Sequence, residues 1–238
     1  MHLQADQVQL WLIDLDQAPE PFDALLQDDE RERAARFIRR QHQDRFRVGR
    51  GALRAVLGGY LGQEARFVRF AYGAHGKPAL AEGTDLRFNL SHSDRWAMLG
   101  VVRGVDIGVD IEAIRDLADL DAVARRTFTA RENRELDALP AGFRTRGFYA
   151  CWTRKEAMVK AAGVGLAFEL DWCEVAVDPT MDCLDVKVGG SSQIAGQYRL
   201  WCLEPVAGLP AAVAIRSNPA ESGSSSLRLC SRIFRVAF

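Results

Sequence analysis

With 238 residues, 48% of them hydrophobic, the chain is long enough for one large core or two smaller ones. A formal net charge of −1 excludes a polycation, and no apolar run approaches the roughly 18 residues of a membrane span. Five scattered cysteines form no CxxC pair or Cys/His cluster that would suggest zinc. The first six residues lack the basic and apolar run of a signal peptide, so a cytoplasmic protein with reduced thiols is expected.

In chain order, residues 9–14 (QLWLID) predict an opening strand, and 29–40 and 44–61 two helices. Residues 65–72, 85–90 and 96–102 alternate or run apolar as strands do, with a turn at Gly76-Lys77-Pro78. Residues 106–112 predict a further strand. Residues 129–139 open with a capping box, Thr129 as N-cap and Glu132 three residues on. A long helix over 143–162 stops at Gly163-Val164-Gly165. Strands follow at 172–177, 184–188, 198–203 and 211–215.

Both halves therefore run strand, helices, strands, and Trp11-Leu12-Ile13-Asp14-Leu15-Asp16 rhymes with Ile107-Gly108-Val109-Asp110-Ile111-Glu112. The pattern predicts an α+β fold of two similar lobes, a pseudo-dimer. Each lobe is a small antiparallel sheet packed with helices, and the active site lies in the cleft between them. The expected division is 1–104, 105–217 and a tail, 218–238, that carries Ser222-Gly223-Ser224-Ser225-Ser226. Because the two lobes share one chain and already provide the cleft, a monomer is expected. Asp14 and Asp16 occupy positions equivalent to Asp110 and Glu112 but are not expected to bind metal.

On a strand, Asp110 and Glu112 project from one face, about 6–7 Å apart. On a helix, Glu156 and Lys160 sit one turn apart. Brought together, they would offer oxygen ligands to a hard cation beside an ammonium, as a magnesium–diphosphate site requires. Taken singly, the first pair reads more readily as a solvated strand end and the second as a surface ion pair. Lysine usage points to the same places: there are four lysines against 27 arginines, and Lys77, Lys155 and Lys160 all lie in motifs. Nine arginines between Arg31 and Arg54, opposed only by Glu32 and Asp44, read as a solvated helical face. Without interleaved aromatic platforms, and with a near-neutral chain, they do not argue for nucleic-acid binding.

Gly76-Lys77-Pro78, Phe88-Asn89-Leu90-Ser91-His92-Ser93, Gly108-Val109-Asp110-Ile111-Glu112 and Trp152-Thr153-Arg154-Lys155-Glu156-Ala157-Met158-Val159-Lys160 occur in that order. In order and spacing they resemble the 4′-phosphopantetheinyl transferases, specifically the long two-lobed class that serves surfactin-type synthetases. The resemblance runs from about residue 10 to 216. It implies transfer of the phosphopantetheine arm of coenzyme A to a serine of an apo acyl or peptidyl carrier protein, of fatty-acid, polyketide or nonribosomal peptide synthases, with release of 3′,5′-ADP.

The same resemblance implies a Mg2+ ion held by Asp110, Glu112 and Glu156. Glu156 would also accept the serine proton, directly or through a water, and Lys160 would neutralise the diphosphate. Ser91 and His92 resemble phosphate contacts, Lys77 a contact at the nucleotide end, and Lys155 a lesser phosphate contact. First-lobe basic residues hold the 3′-phosphate in the family. Here Glu30 stands where a basic residue is common and Phe46 where a small hydroxyl residue can occur, which leaves Arg33 and Arg45 as candidates. The region after the Asp110–Glu112 strand is implied in carrier docking.

Three other readings compete: an inactive adaptor that binds carriers or coenzyme A, a nucleic-acid module, and another magnesium–nucleotide phosphotransferase. The last would need a phosphate-cradling GxxxxGK[ST] loop, which the sequence lacks.

Overall fold

The computed structural model describes residues 1–73, 75–81, 83–165, 170–217 and 227–236. The chain opens with β1 (Gln7–Asp14), whose two faces go to different cores. Val8, Leu10 and Leu12 pack toward the second half of the molecule, while Ile13 packs under the first-half helices. Those helices are α1 (Glu20–Asp23), α2 (Asp28–Ala35) and α3 (Arg40–Leu61). Helix α2 ends earlier than the sequence suggests. Phe37 packs on Phe46, and Gln43 Nε2 donates to Phe37 O at 2.9 Å, turning the chain into α3. In α3, Val48, Ala52 and Val56 recur every fourth residue and form the buried stripe over the sheet.

β2 (Phe70–Tyr72) and β3 (Pro78–Leu80) form a small hairpin. β4 (Leu86–Ser93) and β5 (Trp96–Arg103) then complete the first sheet with β1. The second half opens with β6 (Asp106–Ile111). It continues through α4 (Leu120–Thr127), α5 (Ala130–Ala138) and α6 (Ala141–Ala162) to β7 (Cys183–Val188), β8 (Gly196–Leu203) and β9 (Ala211–Ser217). Its sheet runs β6-β9-β8-β7.

The internal likeness is topological. In each half the first strand pairs antiparallel with the last strand of its own lobe, β1 with β5 and β6 with β9. Each half also carries a helix of 22 residues closed by a left-handed glycine, Gly62 after α3 and Gly163 after α6. The lobes share a third core, to which β1 contributes Leu10, β5 Met98, β6 Val109 and β9 Val213.

Three sequence expectations need correction. Residues 227–236 are not tail: they return as β10 (Arg228–Val236), parallel to β1 at the edge of the first sheet. The serine-rich segment 222–226 lies outside the described residues. Residues 65–67 form a 3-10 turn rather than strand, because buried Arg54 gathers the carbonyls of Ala65 and Val68 at 3.1 and 2.9 Å. The alternation at 172–177 is real, with Cys173, Val175 and Val177 all buried, but no strand pairs there. Charged side chains take the backbone groups instead. Lys155 binds the Cys173 carbonyl at 2.6 Å, Glu132 accepts from Val175 N at 2.8 Å, and Arg154 donates to Ala176 O at 2.5 Å.

No helix among the described residues is long and apolar enough to cross a membrane.

Candidate active site

The lobes meet where β4, an edge of the first sheet, faces β6, an edge of the second. No backbone ladder joins them. Alternate residues of β4 cross the gap with side chains, as strand periodicity allows. Asn89 Oδ1 accepts from Val109 N at 2.8 Å, Ser91 Oγ donates to Asp110 Oδ1 at 2.9 Å, and Ser93 Oγ donates to Glu112 Oε2 at 2.7 Å. From the other side α6 lies on β6 across Gly108, where an added Cβ would stand 2.0 Å from Ala157 O. That close approach brings Glu156 and Lys160, the residues flanking this contact on α6, toward the acids of β6.

Lys160 Nζ donates to Asp110 Oδ1 at 2.5 Å and to Ser91 Oγ at 3.0 Å. Asp110 is buried, and its Oδ2 has no hydrogen-bond partner. Burial pushes the Asp110 carboxyl above its ordinary value, against the pull of Lys160 and Ser91. Glu112 is raised chiefly by burial and also by the charge of Asp110. Glu156 has no hydrogen-bond or ion-pair partner among the described residues. Burial, with Asp110 and Glu112 adding repulsion against Lys160, lifts it to about 7. Glu156 thus feels the charges of both other carboxylates and of Lys160.

No group of three or more His, Cys, Asp or Glu among the described residues forms a ready-made cation cage. Even so, the donor set suits a magnesium ion, which usually takes one or two carboxylates and draws its other ligands from water and substrate phosphates. The unpartnered Asp110 Oδ2 and the lifted Glu156 both mark a deficit of positive charge.

The remaining expected residues divide. His92 points from β4 on the face opposite Ser91. Although exposed to water, its imidazole is held below the ordinary value, first by desolvation in the packed surroundings and then by the charges of Lys160 and Arg45. Arg45 is tied to Asp16 at 2.7 Å and Asp94 at 3.1 Å. Arg33 is exposed, its guanidinium 5.3 Å from the centre of the Phe46 ring, and it lines an open cavity of about 510 Å³ with Arg36 and Phe37 and with the acids Asp29 and Glu32. Asp14 pairs with Arg95.

Lys77 spends two of its three N–H donors on backbone carbonyls. Its Nζ donates to Lys160 O at 2.6 Å and Ile107 O at 3.0 Å, fastening the β2–β3 hairpin to the second lobe. Lys155 is not a phosphate contact. It has no exposed surface, its Nζ lies 2.9 Å from Glu132 Oε2, and it also donates to Leu170 O and Cys173 O. Position i−1 on α6 turns it into the core, away from Glu156. Glu30, the unexpected acid, is likewise structural: it is buried and accepts from Arg50 and from both Nε and Nη2 of Arg54.

A model of the 4′-phosphopantetheinyl transferase superfamily matches residues 106–203. A model described as 4′-phosphopantetheinyl transferase, N-terminal, matches residues 20–102. The transferase HetI of Nostoc sp. is 43% identical over 184 residues, 75% of this chain and 77% of HetI. The chain belongs to the 4′-phosphopantetheinyl transferase family. Sfp of Bacillus subtilis is 31% identical over 152 residues, 64% of this chain and 66% of Sfp. AcpT of Escherichia coli O157:H7 is 44% identical over 110 residues, 46% of this chain and 53% of AcpT.

As a phosphopantetheinyl transferase, the protein uses coenzyme A as substrate and modifies carrier proteins. The inactive-adaptor reading finds no support. Sequence reasoning missed the contact of Ser93 with Glu112 and the pairing of Glu132 with Lys155. Ser93 was legible in principle, since it continues the Asn89, Ser91 alternation toward the second lobe.

Proposed function

We propose that the transferase works in the cleft between β4, β6 and α6, with Asp110, Glu112 and Glu156 holding a magnesium ion. The supporting observation is the convergence of these three acids with Lys160, one carboxylate oxygen being buried without a partner. When bound, such an ion would offset the charge of the coenzyme A diphosphate.

The protein's own groups do the rest. Glu156, deprotonated when it ligates the ion, would accept the proton of the carrier serine as its Oγ bonds to phosphorus. The bond from that phosphorus to the bridging oxygen breaks, and 3′,5′-ADP leaves. Lys160 has three N–H donors and spends two on Asp110 and Ser91, leaving one for a phosphate oxygen. Charge neutralisation of this kind is the main protein contribution to phosphoryl transfer.

The 3′-phosphate would lie toward the first-lobe helices, where His92 feels the charge of Arg45 and Arg33 stands exposed over Phe46. Residues 1–104 together with 227–236 make the nucleotide-side lobe and 105–217 the catalytic lobe. Internal duplication makes the monomer the working unit, in the cytoplasm, serving fatty-acid, polyketide or nonribosomal peptide carriers.

Calorimetric titration of coenzyme A with and without Mg2+ tests the metal assignment. The wild-type protein should bind more tightly with Mg2+, and Asp110→Asn should lose that gain. Equal magnesium dependence in the variant would refute the assignment.

A further inference from the structure

The catalytic acids are held from the opposite lobe, and the three side chains that cross from β4 do different work. Asn89 reaches only a backbone amide, Val109 N, and so fastens strand to strand. Ser91 shares Asp110 with Lys160. Ser93 is the one that meets both parts of the next acid's surroundings. Its Oγ accepts from Ala113 N at 3.0 Å and donates to Glu112 Oε2 at 2.7 Å.

Those two bonds set the direction of the Ser93 hydroxyl. The Ala113 amide occupies an acceptor lobe of Oγ, so the single O–H is left to point at Glu112. Glu112 itself lies just past the end of β6, beyond the last ladder pair of that strand, Ile111 with Ala211. Its N–H still donates to Pro210 O at 3.0 Å, but that bond holds the backbone and not the carboxylate. Ser93 is itself well fixed. It is buried, it pairs with Trp96 across the β4–β5 turn, and the turn residue Asp94 takes a left-handed φ of 51° while accepting from Arg45. The β4–β5 hairpin of one lobe thus presents an oriented donor to an acid of the other whose backbone is held by its own lobe and whose carboxylate is hydrogen-bonded by Ser93.

We propose that Ser93 is a positioning residue of the reaction, orienting the Glu112 carboxylate for the divalent cation across the lobe boundary. This deepens the metal assignment above and rests on it. Groups that orient metal ligands typically change metal affinity or activity by about 10–100-fold when removed. A residue that only glued the lobes together would lower stability and leave the metal affinity of the folded protein unchanged.

The test is direct binding of Mn2+ to the full chain, followed by electron paramagnetic resonance, with thermal midpoints measured alongside. Ser93→Ala should bind Mn2+ about tenfold more weakly than wild type while remaining folded, and Ser93→Thr, which keeps the hydroxyl, should bind as wild type does. In a Glu112→Ala background the Ser93→Ala effect should disappear. If Ser93→Ala proves unfolded, Ser93→Cys, closer in shape but a poor donor, should show weakened Mn2+ binding in its place. Wild-type affinity in folded Ser93→Ala or Ser93→Cys, or an undiminished effect without Glu112, overturns the proposal. The metal assignment has its own control: Mn2+ binding that Glu156→Gln leaves untouched overturns the site itself, whatever Ser93 does.

Discussion

Lys160 Nζ lies 2.5 Å from Asp110 Oδ1, and the other oxygen of the same buried carboxylate has no partner. The lysine stabilises a buried acid, and in the proposed mechanism its third N–H meets a phosphate oxygen of coenzyme A. Lys160→Ala should cut turnover by about 100-fold or more, as loss of one donor to a charged transition state does. Coenzyme A affinity should change less than tenfold. Steady-state rates beside calorimetric affinities check this split; a pure binding defect would contradict it.

Glu156 ties stability to pH. Its folded-state pKa of about 7 lies above the ordinary value of 4.5, so the folded protein keeps a proton that the unfolded chain releases in between. Without divalent cations, its contribution is full at the acid end of that window and is lost as pH rises toward 7. A bound cation would replace the proton and reverse the loss. In EDTA the melting temperature of wild type should fall from pH 5.5 to 7.5 by more than that of Glu156→Gln. Added Mg2+ should stabilise wild type more at pH 8 than at pH 6, and Glu156→Gln hardly at all.

Gly108 is a steric requirement. A Cβ there would meet Ala157 O at 2.0 Å and Ala161 N at 2.4 Å, both backbone atoms of α6. Helix and strand would have to part, carrying Glu156 and Lys160 away from Asp110. Gly108→Ala should destabilise the protein by about 3 kcal/mol, at the upper end of overpacking costs. Any folded fraction should turn over about 100-fold more slowly, the effect of an ångström-scale misplacement. Denaturant titration and rates on the same sample test both effects.

Lys155 predicts a different pattern. It and Glu132 are both fully buried, and removing the cation strands the acid. Lys155→Ala should cost about 3–5 kcal/mol of stability. Coenzyme A affinity of the protein that remains folded should be unchanged. A selective loss of coenzyme A affinity at normal stability would restore the phosphate-contact role.

The parts of this molecule that the sequence made legible are those governed by local rules. Asp110 and Glu112, two residues apart, both take side-chain bonds from β4, Thr129 and Glu132 form the capping box, and Gly163 closes α6 in the left-handed conformation. What escaped depends on partners distant in sequence. β10 exists only because β1 offers its edge more than 200 residues earlier, and 172–177 alternates like a strand while charged side chains take its backbone groups. Lys155 and Lys160 look alike in the motif, yet one turns into the core and the other into the cleft. The role of Glu30 as counter-ion to Arg54 is likewise invisible until α2 and α3 pack together.

The most direct test is intact-mass measurement of an apo carrier protein incubated with this transferase and coenzyme A, with Mg2+ or with EDTA. One phosphopantetheine arm should be gained with Mg2+ and none in EDTA, and the rate should be at least about 100-fold lower for Asp110→Asn and Glu156→Gln. Modification that proceeds undiminished in EDTA, or in folded Glu156→Gln, would contradict the proposed mechanism.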